Sequence, residues 1–281
     1  MTSPDAKRPD VHGHRGCRGL LPENTIPAFL RATELGCDRL ELDVVVNADG
    51  AVVVSHEPWM EHRICLDPVG QRISAAQERD HNIYRMSTAD LLRYDCGSLQ
   101  HPDFPQQRNG PTHKPLLQEV VIAVRSCAER LGIPEPGFTV EIKSEPELYG
   151  THQPQPVAFA SFVIEDLRLT GIQSTCIVQS FDPEVLKAIR SLSPDPAIAL
   201  LVDNSASLEV NLARLSFTPE IYSPRYKRID EKLLRELRDR NIGIAAWTVN
   251  GEADMQRMIA LGVDGIITDY PDRLIALLAG V

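Results

Sequence analysis

Residues 38–46 read Asp38-Arg39-Leu40-Glu41-Leu42-Asp43-Val44-Val45-Val46, and the run continues through Asn47-Ala48-Asp49-Gly50 into Ala51-Val52-Val53-Val54-Ser55-His56. Apolar and β-branched residues dominate, as expected of a strand buried on both faces of a parallel sheet. Two carboxylates nevertheless sit inside it. Glu41 and Asp43 are two apart, so strand alternation places them on one face, about 6–7 Å from each other. Asp49-Gly50 is a turn pair, and the chain returns through Val52–Val54 as the second arm of a hairpin.

Outward from this strand, similar short runs recur between amphipathic segments. Strands are predicted at Asp10–His14, Asp38–Val46, Phe138–Lys143, Thr175–Gln179, Ala197–Val202, Glu220–Ser223, Ile242–Thr248 and Asp264–Thr268. The intervening helices carry start and stop signals. Asn24 is expected to cap a helix that Gly36 ends, Asp182-Pro183 opens another, Asp230 caps a third, and Gly262 stops the one lined by Met255 and Met258. Eight parallel strands with crossover helices predict a TIM (β/α)8 barrel. An open doubly wound sheet is the alternative, but its glycine-rich phosphate loop is missing. The first strand runs into HGHRGCRG, without Rossmann or P-loop spacing. Residues 1–281 are thus read as a single barrel domain. The proline-rich stretch at about 57–115 is read as an insertion after the second strand, on the catalytic face, with one helix near Ser87–Arg93.

Composition narrows the function. With 29 Lys plus Arg against 39 Asp plus Glu, the net charge is −10. That disfavours nucleic acid and anionic bilayers, both of which require clustered cations. Nothing approaches the roughly 18 apolar residues of a membrane span. The start, MTSPDAKRPD, has no apolar core and is not read as a signal peptide, which implies a cytoplasmic protein, or an exported or periplasmic one if the front has been trimmed. The six cysteines form no C-x-x-C pair. In a reducing cytosol all six would be free thiols. In an exported protein Cys65 and Cys96, both in the insertion, are the pair expected to bridge.

In a barrel the chemistry sits at the carboxyl ends of the strands. There the first strand offers His14 and Arg15, the second Glu41 and Asp43, the third Glu141 and Lys143, the fourth Gln179, and the seventh Trp247. Buried carboxylates side by side are costly without a counter-charge. Glu41, Asp43 and Glu141 make an all-oxygen set suited to one divalent cation, Mg²⁺ or Ca²⁺ rather than zinc. A buried ion-pair network with Arg15 and Lys143 is the competing account. Arg15 and Lys143 beside such a cluster suit a phosphate. His14 and His56, the latter just after the hairpin, have an unperturbed pKa that suits both halves of acid–base work. Packed core histidines are the plainer account. Gln179 is a neutral donor for phosphate or hydroxyl, and Trp247 is either core filling or an apolar wall for a carbon chain. His12 is read as a strand residue or a support behind the site.

HRGCRGLLPENTIPAF (14–29), ELDVVVNADGAVVVSHEP (41–58), EIK (141–143), VQSF (178–181), AAWTVN (245–250) and GVDGIITDYP (262–271) occur in order along the chain. Together they resemble the glycerophosphodiester phosphodiesterase family. The resemblance implies a TIM barrel, one divalent metal, and hydrolysis of glycerophosphodiesters to an alcohol and sn-glycerol 3-phosphate. It implies acid–base roles for His14 and His56, metal ligation by Glu41, Asp43 and Glu141, phosphate contacts from Arg15 and Lys143, and an aromatic substrate contact at Trp247. The substrate it implies is a small molecule; the acidic charge balance argues separately against nucleic acid and a stable membrane partner. A phospholipase D-like or phosphoinositide-specific phospholipase C-like barrel shares the paired-histidine logic, and a non-catalytic phosphate-binding barrel explains the cations but not the histidines.

Overall fold

A computed structural model describes residues 8–280; the expectation drawn from the first seven residues lies outside them. The strands are β1 (Asp10–Gly13), β2 (Arg39–Val46), β3 (Val52–Val54), β4 (Gly137–Ile142), β5 (Ile177–Ser180), β6 (Ala197–Val202), β7 (Ile221–Pro224), β8 (Gly243–Ala246) and β9 (Gly265–Thr268). They pair in the order β1-β9-β8-β7-β6-β5-β4-β2, and β1 pairs with β2 to close the ring. All ring pairings are parallel, so this is a TIM barrel. β3 runs antiparallel to the upper half of β2, outside the ring, as the Asp49-Gly50 turn implies.

The alternation in β2 sorts its side chains. Leu40, Leu42, Val44 and Val46 join the main apolar core beneath the helices, while Glu41 and Asp43 face the barrel interior. Val45 lies above the ring, where it packs with Val53 in a second cluster with Met60, Ile64, Cys65, Ile83, Leu91 and Cys96. The insertion therefore has a small core of its own. Cys65 and Cys96 are disulfide-bonded across it, and Cys17, Cys37, Cys127 and Cys176 are free and buried. Closing a loop across 31 positions restricts the unfolded chain by about 3–4 kcal/mol on the chain-entropy account.

Outside the ring lie α1 (Ile26–Leu35), α2 (Thr88–Leu91), α3 (Leu117–Leu131), α4 (Pro156–Thr170), α5 (Pro183–Leu192), α6 (Leu208–Leu212), α7 (Glu231–Arg238), α8 (Glu252–Leu261) and α9 (Pro271–Ala279). Asp182 and Asp230 cap α5 and α7 with their side chains, and Gly36 and Gly262 end α1 and α8 in left-handed conformation. Asn24 does not cap α1. Thr25 does, its hydroxyl accepting from the Ala28 N–H, and Asn24 is taken up by the site below. Among the described residues no helix is long and apolar enough to cross a membrane.

His12 is buried near the barrel floor, its Nδ1 3.2 Å from Thr139 Oγ1. Burial lowers its pKa to about 3. The unfolded chain therefore takes up a proton near pH 6.5 that the folded chain refuses until about pH 3, so stability falls as pH drops through this window. His12→Val is expected to flatten urea-unfolding stability between pH 6.5 and 4.5, by a slope approaching about 1.4 kcal/mol per pH unit. Equal slopes for the two proteins would contradict this.

Candidate active site

β1 ends at Gly13, and the chain then turns tightly toward α1. A Cβ at Gly13 would lie 2.2 Å from the Gly16 carbonyl oxygen, and Gly16 has φ +85°, so glycine is required at both. The turn puts Arg15 in left-handed conformation (φ 50°), ordinarily unfavourable for a side chain of this kind. Its backbone is held there from both sides. The Arg15 N–H donates to Glu41 Oε2 at 3.0 Å, and its carbonyl accepts from Asn24 N at 3.1 Å. Asn24, also left-handed, clamps Asp43: its Nδ2 donates to Asp43 Oδ2 at 2.9 Å, and its Oδ1 accepts from the Asp43 N–H.

Glu41, Asp43 and Glu141 converge. Each offers a carboxylate oxygen, all within 4.8 Å of one another. All three are buried. Burial, together with the neighbouring Asp43 and Glu141 charges, pushes the Glu41 pKa well up. Burial acts the same way on Asp43, but the charges of Arg15 and Lys143 outweigh it and hold Asp43 ionised. Asp43 Oδ1 is buried without a hydrogen-bond partner, and Lys143 Nζ approaches it only to 3.9 Å. An orphaned carboxylate oxygen beside two more carboxylates is the donor set of a hard divalent cation. The residues therefore fit one.

The cations expected here are present and paired. Arg15 Nη1 bonds Glu23 Oε1 at 2.7 Å, and its Nε lies 3.2 Å from Asp43 Oδ2 without hydrogen-bond alignment. Lys143 Nζ donates to Glu141 Oε1 at 2.7 Å. Burial opposes its charge, but Glu141 and Asp43 raise its pKa. The ion-pair network and the cation-ready carboxylates thus occur together. Gln179 Nε2 donates to Glu41 Oε1 at 3.0 Å, and the residue also lines the cavity.

Both histidines reach the same cavity. His14 Nδ1 lies 2.6 Å from Asp269 Oδ1, leaving Nε2 on the cavity side, 3.9 Å from Glu41 Oε2. Burial drives its pKa down to about 4, against the pull of Asp269. His56 Nδ1 lies 2.7 Å from Glu57 Oε1, and its Nε2 lies 3.1 Å from Lys143 Nζ. An ammonium has only donors, so that Nε2 carries the lone pair. In each ring Nδ1–H faces a carboxylate and the Nε2 lone pair faces inward.

The cavity is about 140 Å³ and is lined by His14, Arg15, Glu41, His56, Glu141, Lys143, Gln179 and Trp247, with Arg18, Phe181, Leu201, Thr248 and Ile267 completing the wall. Trp247 stands just past β8, its Nε1 donating to the Ser223 carbonyl at 2.7 Å and its ring edge-on to Phe181 at 5.4 Å between centroids. Five supporting residues escape a reading confined to strand ends: Arg18, Glu23, Glu57, Phe181 and Asp269. Asp269 had the plainest signal, an acidic residue directly after β9. Arg18 Nε donates to the same Asp269 oxygen at 2.9 Å and its guanidinium stacks on Phe104 of the insertion.

Comparison with known proteins places the chain among relatives of one kind. A glycerophosphodiester phosphodiesterase of Caldanaerobacter subterraneus subsp. tengcongensis is 29% identical over 269 residues, covering 95% of this chain and 96% of that protein. A glycerophosphodiester phosphodiesterase of Bacillus subtilis is 28% identical, covering 92% of this chain and 83% of its own. A lysophospholipase D of Rattus norvegicus is 26% identical, with 93% and 83% covered. Among solved structures, a candidate glycerophosphoryl diester phosphodiesterase from Silicibacter pomeroyi superimposes with a TM-score of 0.85 at 28% identity, covering 99% of this chain and 96% of that one. An Oleispira antarctica phosphodiesterase, solved with the product sn-glycerol-3-phosphate, shares the fold at TM-score 0.76 and 21% identity, with 97% of each chain covered. A family model matches residues 14–273, from the first cavity histidine into the last helix, so the chain belongs to the glycerophosphoryl diester phosphodiesterase family.

Proposed function

We propose that this phosphodiesterase hydrolyses small, water-soluble glycerophosphodiesters to an alcohol and sn-glycerol 3-phosphate through the His14–His56 pair. The observation that carries this is the pair of imidazoles lining one small cavity with Glu41 and Glu141, beside which Asp43 completes a buried cluster of three carboxylates. Arg15 and Lys143 orient the phosphoryl group and share its charge. One imidazole takes the proton of the attacking hydroxyl. The other, protonated, returns one to the leaving oxygen, because an alkoxide is a poor leaving group. Glu41, Asp43 and Glu141 would hold Mg²⁺ or Ca²⁺, which supplies Lewis-acid stabilisation of phosphoryl charge. Gln179 holds Glu41 in place, and Trp247 with Phe181 forms the wall for the glycerol carbons.

The chain is read as one barrel unit, with the insertion at about 57–115 narrowing the mouth. A cavity of about 140 Å³ suits a slim polar diester better than an acyl chain. The net charge of −10 gives no general attraction to anionic bilayers. The Cys65–Cys96 bridge favours an oxidising compartment over the cytosol.

The lysophospholipase D named among the relatives is the second reading. A side-by-side assay of glycerophosphocholine, glycerophosphoethanolamine, lysophosphatidylcholine and phosphatidylcholine vesicles separates them. The soluble diesters are expected to give the higher kcat/KM; a lipid that equals them overturns the substrate assignment. Trp247→Ala is expected to raise KM for glycerophosphocholine more than it lowers kcat, since a wall contact acts on ground and transition states alike.

A further inference from the structure

Lys114 closes the insertion, one residue before Pro115 returns the chain to the barrel. The residue is 5% exposed. Lysine is almost never buried to this degree without a partner, because desolvating an ammonium is costly. Yet no carboxylate lies within ion-pair distance of it among the described residues. Its ammonium donates instead to a neutral group, Ser55 Oγ, at 2.8 Å. Burial lowers its pKa, and the charges of Glu23, Glu61, Glu57 and Asp43, all beyond ion-pair distance, oppose that shift. The carboxylates offset part of the burial cost, and the directed contact of the ammonium goes to the serine.

Ser55 is the residue before His56. Its hydroxyl accepts from Lys114 and donates to the Glu57 carbonyl at 2.6 Å. Its N–H donates to the Asp43 carbonyl at 2.9 Å. Glu57 in turn holds the His56 ring through Oε1. A three-residue turn, Ser55-His56-Glu57, is thus fixed at its first residue by Lys114 and at its last by Ser55, with the histidine between. His56 has no strand of its own to hold it, since β3 ends at Val54. The support comes from the far end of the insertion. The same end is tied into the disulfide region, where the Cys96 N–H donates to the Thr112 carbonyl at 2.7 Å.

We propose that Lys114 is a positioning residue for His56, acting through the Ser55 hydroxyl and the Glu57 side chain. The inference rests on the reading of His56 as an acid–base group. It gives the insertion a part in the chemistry beyond narrowing the mouth: its Lys114 side chain supports an acid–base residue that lies beyond the end of β3. A displacement of about 1 Å of such a group can cost on the order of 10²-fold in rate, so small losses of support are readable.

The test is a double-mutant cycle on the full chain, with glycerophosphocholine, whose leaving alkoxide needs a proton, as substrate and saturating divalent cation. Lys114→Met, close in shape and uncharged, is expected to lower kcat by roughly 10–100-fold with KM within about twofold of wild type. Lys114→Arg, which keeps a charged donor, should recover part of the loss. In a His56→Ala background Lys114→Met should change nothing further, because its effect passes through that ring. A merely structural role would give a further loss there. Multiplying losses in the double mutant, or wild-type kcat for Lys114→Met, overturns the inference. If His56→Ala alone retains wild-type turnover, the acid–base reading of His56 fails instead. Should Lys114→Met not fold by circular dichroism, Ser55→Ala breaks the same link and carries the same expectations.

Discussion

His14→Ala is expected to lower kcat for glycerophosphocholine by roughly 10²–10⁴-fold, the usual contribution of a positioned acid–base group. Three features make the loss large. The ring is buried and its pKa is driven down to about 4, so at neutral pH it presents a lone pair rather than a charge. Asp269 holds Nδ1 at 2.6 Å, fixing both tautomer and orientation. Arg18 and Asn250 in turn hold Asp269, at 2.9 Å and 2.6 Å. Alanine removes the proton acceptor while leaving this scaffold in place, so the melting temperature should change little. Asp269→Asn should lose nearly as much rate, because an amide can donate to Nδ1 and force the wrong tautomer. The His14→Ala, His56→Ala double mutant should lose far less than the product of the single losses, since the two act as a unit. Steady-state kinetics with parallel melts check all of this. A His14→Ala enzyme within about threefold of wild type would remove His14 from the chemistry.

The supports of His14 also mark how far the sequence could be read. The strand at 39–46 was legible because burial and chemistry leave opposite signatures on one alternating stretch: valine and leucine outward, carboxylates inward. Helix ends at Gly36 and Gly262 were legible because a left-handed terminus selects glycine. Asn24 misled, because asparagine serves equally as a cap and as a left-handed clamp, and only the neighbouring Thr25 decides between them. Asp269 is 255 residues from the ring it orients, and no local spacing encodes that pairing. The insertion core was illegible for another reason. Met60, Ile64 and Ile73 pack with no helical or strand period, since they sit in turns and loops around a disulfide rather than in regular structure. Lys114 was the extreme case: a lysine beside prolines reads as solvated loop until its burial is seen.

Asp43→Asn is expected to abolish stabilisation by divalent cation and to lower kcat/KM by roughly 100-fold or more at cation concentrations that saturate wild type. The substitution keeps shape and removes charge. Asn24 can still hold the side chain at that position, so the fold should persist. What is lost is the orphaned Oδ1, the one buried carboxylate oxygen of the cluster with nothing to bond. Even residues that only support a ligand typically cost 10–100-fold in metal affinity, so loss of an anionic ligand should cost at least that. Two readouts separate ligation from mere charge balance. Wild-type protein stripped with EDTA should melt lower and regain stability with added Mg²⁺ or Ca²⁺, by about 2.7 kcal/mol at a hundred times the Kd. Asp43→Asn should show no such rise. If instead Arg15 and Lys143 are the only counter-charges the cluster uses, stripping wild type changes neither melting nor turnover. In that case Asp43→Asn destabilises only by leaving Arg15 short of a partner. Full activity in exhaustively chelated wild type would establish that outcome and leave the carboxylates as a buried ion-pair network.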